Sequence, residues 1–115
     1  MPSDCLFCRI ATKELPAKFV FENERIVAFA DLHPQAPAHV QLIPRKHIAS
    51  TLEVGDEDRA VVGELVQTAA GLARELGFAE DGYRLVFNTN AAAGQSVYHL
   101  HLHLLGGRSF RWPPG

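Results

Sequence analysis

The sequence predicts an α+β fold built on an antiparallel sheet. Three observations carry that prediction. Short apolar runs are separated by turn residues. One long stretch near mid-chain repeats its apolar residues at helical spacing. A strictly alternating segment lies near the C-terminus. Runs of strands around one amphipathic helix fit such an architecture, with about five strands, one long helix and one or two short ones.

Taken in order, residues 5–11 read as a short helix, with Pro16 ending that region. Residues 19–21 and 26–30 read as strands joined by a turn at Asn23-Glu24. Residues 32–37 contain His33-Pro34 and Ala36-Pro37 and read as a loop. Residues 39–43 form the next strand, stopped by Pro44. Asp56 is the expected helix N-cap, with Glu57 and Asp58 in the first turn, where the helix dipole favours negative charge. Val62, Leu65, Val66, Ala69, Leu72, Ala73 and Leu76 then recur at helical spacing, and Gly77 suits the position after the helix. Residues 83–87 form a strand, 88–95 a small polar loop, and 97–105 the last strand, broken by Gly106-Gly107. The tail 108–115, with Trp112-Pro113-Pro114, is neither regular helix nor central strand.

Composition limits the function. A chain of 115 residues, 47% of them hydrophobic, fits one domain spanning 1–115 with a real core. A net charge of −2 with that apolar content excludes intrinsic disorder. A pI near 6.3 argues against nucleic acid as the main partner, because no basic excess exists to neutralise phosphates. Small anionic ligands remain open. No apolar run approaches the ~18 residues of a membrane span. Residues 1–5 lack the pattern of a signal peptide, so a cytoplasmic location is expected.

Chemistry concentrates in the histidines. His99-Leu100-His101-Leu102-His103-Leu104 alternates strictly. On a strand the leucines would share one face and the imidazoles the other, in a row spaced by about 6.7 Å. Apolar residues would fill that second face more stably, which points to function. Two chemistries fit: a catalytic zinc held by two or three imidazoles, or nucleophilic catalysis by one imidazole with its neighbours moving protons. Gly94-Gln95-Ser96 just upstream favours the second, with phosphorus as electrophile. Glycine admits close approach, and Gln95, Ser96 and Asn88 offer uncharged donors to a phosphate. Read alone, Gly94-Gln95 is a simple turn.

These residues resemble the histidine triad (HIT) superfamily, whose signature alternates three histidines with apolar residues and ends in two apolar positions. His99 to Leu105 matches it fully. Gly94-Gln95-Ser96-Val97-Tyr98, Gly106-Gly107-Arg108, Trp112-Pro113-Pro114-Gly115, the segment from Asp31 to His39 and Ile43-Pro44-Arg45-Lys46-His47 look like the Hint branch, the purine nucleoside phosphoramidases. The resemblance implies that His101 is the nucleophile. His103 and Ser96 would serve the leaving group, with His103 as proton donor, and His39 would sit behind His101. It implies that Asn88 and Gln95 contact phosphate and that Asp31 binds the ribose hydroxyls. Phe29, Leu32, Ile10 and Phe7 would pack the purine. It further implies a homodimer whose sheets join, with the 108–115 tail reaching the partner's site, so that Trp112 acts in trans or plugs the dimer seam. No organic cofactor, nucleic acid or membrane is implied.

Cys5 and Cys8 have zinc-knuckle spacing; a redox pair or two free thiols are the alternatives. Bacterial-type Hint members resemble this arrangement, with His47 and His99 completing a Cys2His2 set. Four protein ligands close the tetrahedron, so that zinc would be structural. The expected reaction is hydrolysis of a nucleoside 5′-phosphoramidate through a nucleotidyl-His101 intermediate. The rivals are dinucleoside polyphosphate hydrolysis, as in the Fhit branch, and a nucleotide-binding scaffold.

Overall fold

The computed structural model describes residues 4–115; residues 1–3, part of the segment read as lacking a leader, lie outside them. Five strands form: β1 (Phe19–Glu22), β2 (Ile26–Ala30), β3 (Ala38–Pro44), β4 (Tyr83–Val86) and β5 (Leu102–Gly106). All neighbours pair antiparallel, in the order β1-β2-β3-β5-β4. Two α-helices accompany them, α1 (Leu6–Ala11) and α2 (Arg59–Leu76). No described helix is long and apolar enough to cross a membrane.

The two faces of the sheet are covered separately. Leu102 and Leu104 of β5, with Leu100 before it, pack with Val40 and Leu42 of β3 against Leu65, Ala69, Leu72 and Ala73 of α2. Burying each such leucine stabilises the fold by about 1.5–3 kcal/mol. On the other face, Phe7, Ile10 and Ala11 of α1 pack with Val27, Phe29 and Ile43. The expected alternation is therefore real: leucines face the long helix, and α1 covers part of the opposite face. Val66 and Leu76 lie outside the buried stripe of α2 and are exposed.

Some expected boundaries shift. The long helix starts at Arg59, and Asp56–Asp58 forms a separate 3-10 turn. The buried Asp58 carboxylate accepts the Gly55 N–H at 3.0 Å and the Lys46 ammonium at 2.6 Å. That pairing ties the turn to the residues after β3 and holds the Asp58 carboxyl below the usual range. Gly77 closes α2 with φ +90°, as expected. Pro44 is the last paired residue of β3, opposite Ile26, and does not stop the strand short of itself. Gly106 also belongs to its strand. A Cβ there would enter the ring of Phe78, so glycine is what lets Phe78 close the end of the core.

The largest shift concerns the histidine segment. The paired strand begins at Leu102, whereas the sequence predicts 97–105. The Leu100 N–H is drawn to the Ile48 carbonyl at 2.6 Å. Residues 97–101 thus leave the ladder, and the three imidazoles do not form one row.

Candidate active site and metal cluster

The sheet register assembles one wall of a cavity. Phe29 of β2 lies opposite Gln41 of β3, and Gln41 lies opposite His103 of β5. Phe7 and Ile10 of α1 close over that row. The resulting cavity, of about 330 Å³, is also lined by Asp31, Leu32, Asn88, Ser96 and His101. The structure therefore brings together nine expected residues: His101, His103, Ser96, Asp31, Asn88, Phe29, Leu32, Ile10 and Phe7.

The hydrogen bonds fix the proton on each imidazole. His101 Nδ1 lies 2.7 Å from the His99 carbonyl. A carbonyl only accepts, so Nδ1 carries the proton and Nε2 is left with its lone pair. The Phe7 ring stands edge-on to His101, with centroids 5.0 Å apart and planes at 84°, and holds the imidazole plane. Burial lowers the His101 pKa and keeps the ring neutral.

His39 Nδ1 accepts the Gln35 N–H at 3.0 Å, so Nε2 bears its proton. That proton faces His103 Nδ1 at 2.9 Å. His103 in turn carries its own proton on Nε2. Burial first, then the neighbouring His101 and His39, push the His103 pKa down to about 4. Burial lowers the His39 pKa as well, opposed by the Asp31 charge. His39 thus sits behind His103, which corrects the expectation that it would sit behind His101. The reason is register: His39 and His103 project from adjacent paired strands, whereas His101 precedes the ladder.

Asp31 accepts the His33 N–H on Oδ1 and the Gln41 amide on Oδ2, both at 2.8 Å. Asp31, His39 and His103 bring three potential metal-ligand atoms within 4.8 Å of one another. His39 Nε2 holds its proton toward His103 there, and a metal among the three would have to displace that proton.

Gln95 is placed differently from the expectation that its side chain meets phosphate. Its Oε1 accepts the Asn90 N–H at 2.8 Å, and its Nε2 donates to the Ala49 and Val97 carbonyls. The amide holds the polar loop, where Asn90 adopts φ 66° and ψ −177°, a region that glycine alone populates readily. Gly94 follows at φ +88°. Trp112 is 83% exposed and does not line the cavity of its own chain. Gln41 escaped the sequence reading. The signal was present: His39 and Gln41 alternate with Val40 and Leu42, two polar side chains on one face of an otherwise apolar strand.

Behind the cavity lies a second cluster. Cys5 caps α1, and Cys8 follows one turn later, its N–H donating to Cys5 Sγ at 3.4 Å. Cys5 Sγ and Cys8 Sγ each approach His99 Nδ1 at 3.4 Å. His47 Nδ1 lies 3.4 Å from Cys8 Sγ and 3.3 Å from His99 Nδ1. Ligand atoms around a tetrahedral zinc are separated by roughly 3.3–3.8 Å, so the spacing fits. His99 Nε2 donates to the Pro44 carbonyl at 2.8 Å and turns an unprotonated Nδ1 toward the sulfurs. Burial, assisted by contact with Cys5, pushes the Cys8 thiol up to about 11, and burial lowers His99 to about 4. These four residues form a cluster that can bind a metal.

A five-stranded antiparallel sheet with a histidine-lined cavity on one face and one long helix on the other defines the class. A model of the HIT domain matches residues 12–110, and the chain belongs to that family. It is 49% identical over its full length to an uncharacterised HIT-like protein of Synechococcus elongatus, also spanned completely. It is 43% identical over 108 residues to the purine nucleoside phosphoramidase of Escherichia coli, covering 94% of this chain and 91% of that one. Among solved structures, a HIT family hydrolase from Legionella pneumophila superposes with a TM-score of 0.96 at 54% identity, covering 97% of this chain and all of that one.

Proposed function

We propose that this protein hydrolyses the P–N bond of purine nucleoside 5′-phosphoramidates to a nucleoside monophosphate and an amine. The observation that carries the reading is the His101–His99 carbonyl bond, which leaves the His101 Nε2 lone pair free at a cavity wall. The likeness to the Escherichia coli phosphoramidase supports the substrate class.

In the proposed first step, His101 Nε2 attacks the α-phosphorus and the P–N bond to the amine breaks. An alkylamine leaves poorly without a proton. His103 Nε2 supplies it, and the His39 Nε2–H bonded to His103 Nδ1 stabilises the negative charge that ring then carries until water returns the proton. In the second step water gives a proton to His103 and its oxygen bonds to phosphorus. The P–Nε2 bond breaks and the nucleoside monophosphate departs. Asp31 receives the ribose hydroxyls, Ser96 and Asn88 line the phosphate side, and Phe7, Ile10, Phe29 and Leu32 enclose the purine. Gln95 contributes to the phosphate side by holding the loop.

In this reading Cys5, Cys8, His47 and His99 would hold a zinc ion, which would keep both thiols ionised and serve the fold and not the reaction. The protein acts in the cytoplasm as a homodimer of single HIT domains, with the two sheets joined across the two-fold axis and Trp112 beside the partner's cavity. The test is product analysis with an adenosine 5′-phosphoramidate of a lysine-like amine beside a dinucleoside polyphosphate. Preferential release of AMP and amine from the first supports the reading. Preferential cleavage of the second overturns it.

A further inference from the structure

Gln41 stands at the meeting point of the sugar-binding carboxylate and the proton chain. We infer that Gln41 is a positioning residue for His103: it occupies Asp31 Oδ2 and so keeps the His39 proton directed at His103.

His39 has one proton to offer, because its Nδ1 accepts the Gln35 N–H. Two acceptors compete for that proton. His103 Nδ1 lies 2.9 Å from His39 Nε2, and Asp31 Oδ2 lies 3.4 Å from it. A carboxylate is the stronger acceptor, and a charge-assisted bond is roughly twice as strong as a neutral one. Asp31 nevertheless loses the competition, and the structure gives a reason. Its Oδ1 is engaged by the His33 N–H, and its Oδ2 accepts the Gln41 Nε2–H at 2.8 Å. Only the amide nitrogen of Gln41 can donate to a carboxylate, so the orientation of that carboxamide is fixed. Its backbone is equally fixed, paired with Phe29 on one side and His103 on the other.

Without that donor, Asp31 Oδ2 turns to His39 Nε2–H. His103 Nδ1 then has no donor, and the ring no longer holds its proton on Nε2. The consequence is specific. His103 would fail as an acid for a basic leaving group, while His101 would keep its lone pair, which depends only on the His99 carbonyl.

The catalytic part of this inference rests on the proposed phosphoramidase reading; the tautomer part does not. The variants are Gln41→Met, similar in length and without a donor, and Gln41→Glu, which keeps the size and removes the amide. The first measurement is the nitrogen-15 pattern of the His103 ring in the intact protein at neutral pH. Wild type should show one tautomer, protonated at Nε2, and both variants an averaged pattern. An unchanged His103 pattern in a folded variant overturns the inference whatever the activity. The second measurement compares leaving groups at equal AMP moiety. Turnover of an alkylamine phosphoramidate should fall roughly tenfold or more in Gln41→Met, within the range that general-acid catalysis supplies. An aryl ester of AMP, whose phenolate leaves without a proton, should change less than about threefold, since no acid is needed. Equal losses on both substrates overturn the catalytic role. A changed tautomer with no wild-type turnover of either substrate upholds the positioning and rejects the phosphoramidase reading instead.

Discussion

At the residue scale, the three imidazoles of the motif divide their work by hydrogen-bond partner. His99 gives its Nε2 proton to Pro44 and turns Nδ1 to the cysteines. His101 gives its Nδ1 proton to His99 and turns Nε2 outward. His103 receives on Nδ1 from His39. His101→Ala is expected to lower kcat by roughly 10³-fold or more without unfolding the chain, checked by steady-state turnover beside thermal melting. His103 adds a pH dependence. Its pKa is about 4 in the fold against an ordinary 6.5, so the folded chain binds fewer protons than the unfolded chain between those values. The stability this contributes is fully present above pH 6.5 and is lost as pH falls toward 4. Denaturant unfolding across that window should show a shallower slope for His103→Gln than for wild type. The nine expected residues that line the cavity come from separate stretches, near residues 7–10, 29–32 and 88–103, each short enough to be read in sequence. Gln41 and the inward turn of Gln95 were not legible, because each depends on a partner brought close by folding. Gln41 on β3 reaches Asp31 just past the end of the neighbouring β2, and Gln95 meets Ala49 from 46 residues away.

At the element scale, β5 and α1 matter most to the site. Leu102 is 1% exposed between the sheet and α2, and Leu102→Ala should cost about 2–5 kcal/mol in denaturant unfolding. Gly106→Ala should cost roughly 1–3 kcal/mol, because the added methyl displaces the Phe78 ring. β2 and the body of α2 were legible because periodicity and turn residues agree locally. The start of β5 was not. Alternation in 97–105 describes which face each side chain takes, but the bond from Leu100 N–H to the Ile48 carbonyl decides where pairing begins. The start of α2 moved for a related reason: the Asp58 carboxylate is held by Lys46, which follows β3. α1 links the two clusters, since Cys8 faces His47 and His99 while Phe7 stands against both His99 and His101.

At the scale of the whole molecule, the Cys5, Cys8, His47 and His99 cluster brings together the N-terminal helix, the segment after β3 and the histidine segment before β5. Metal held there stabilises the fold in proportion to its binding. Chelator treatment of the purified protein should lower Tm, and Cys8→Ser should show the lower Tm without further response to chelator. Turnover at temperatures well below that Tm should fall less than stability does, because no substrate step involves the metal. Equal Tm with and without chelator, together with no zinc by elemental analysis, would reject the metal assignment. On the cavity side of the molecule, the proposed reaction bonds His101 covalently to the nucleotide. The most direct measurement is rapid mixing of the protein with an adenosine 5′-phosphoramidate, an alkaline quench that preserves P–N bonds, and peptide mapping by mass. A transient adenylyl group is expected on the peptide containing His101, absent from His101→Ala. AMP release by wild type with no adduct at any time, or undiminished release by His101→Ala, would contradict it.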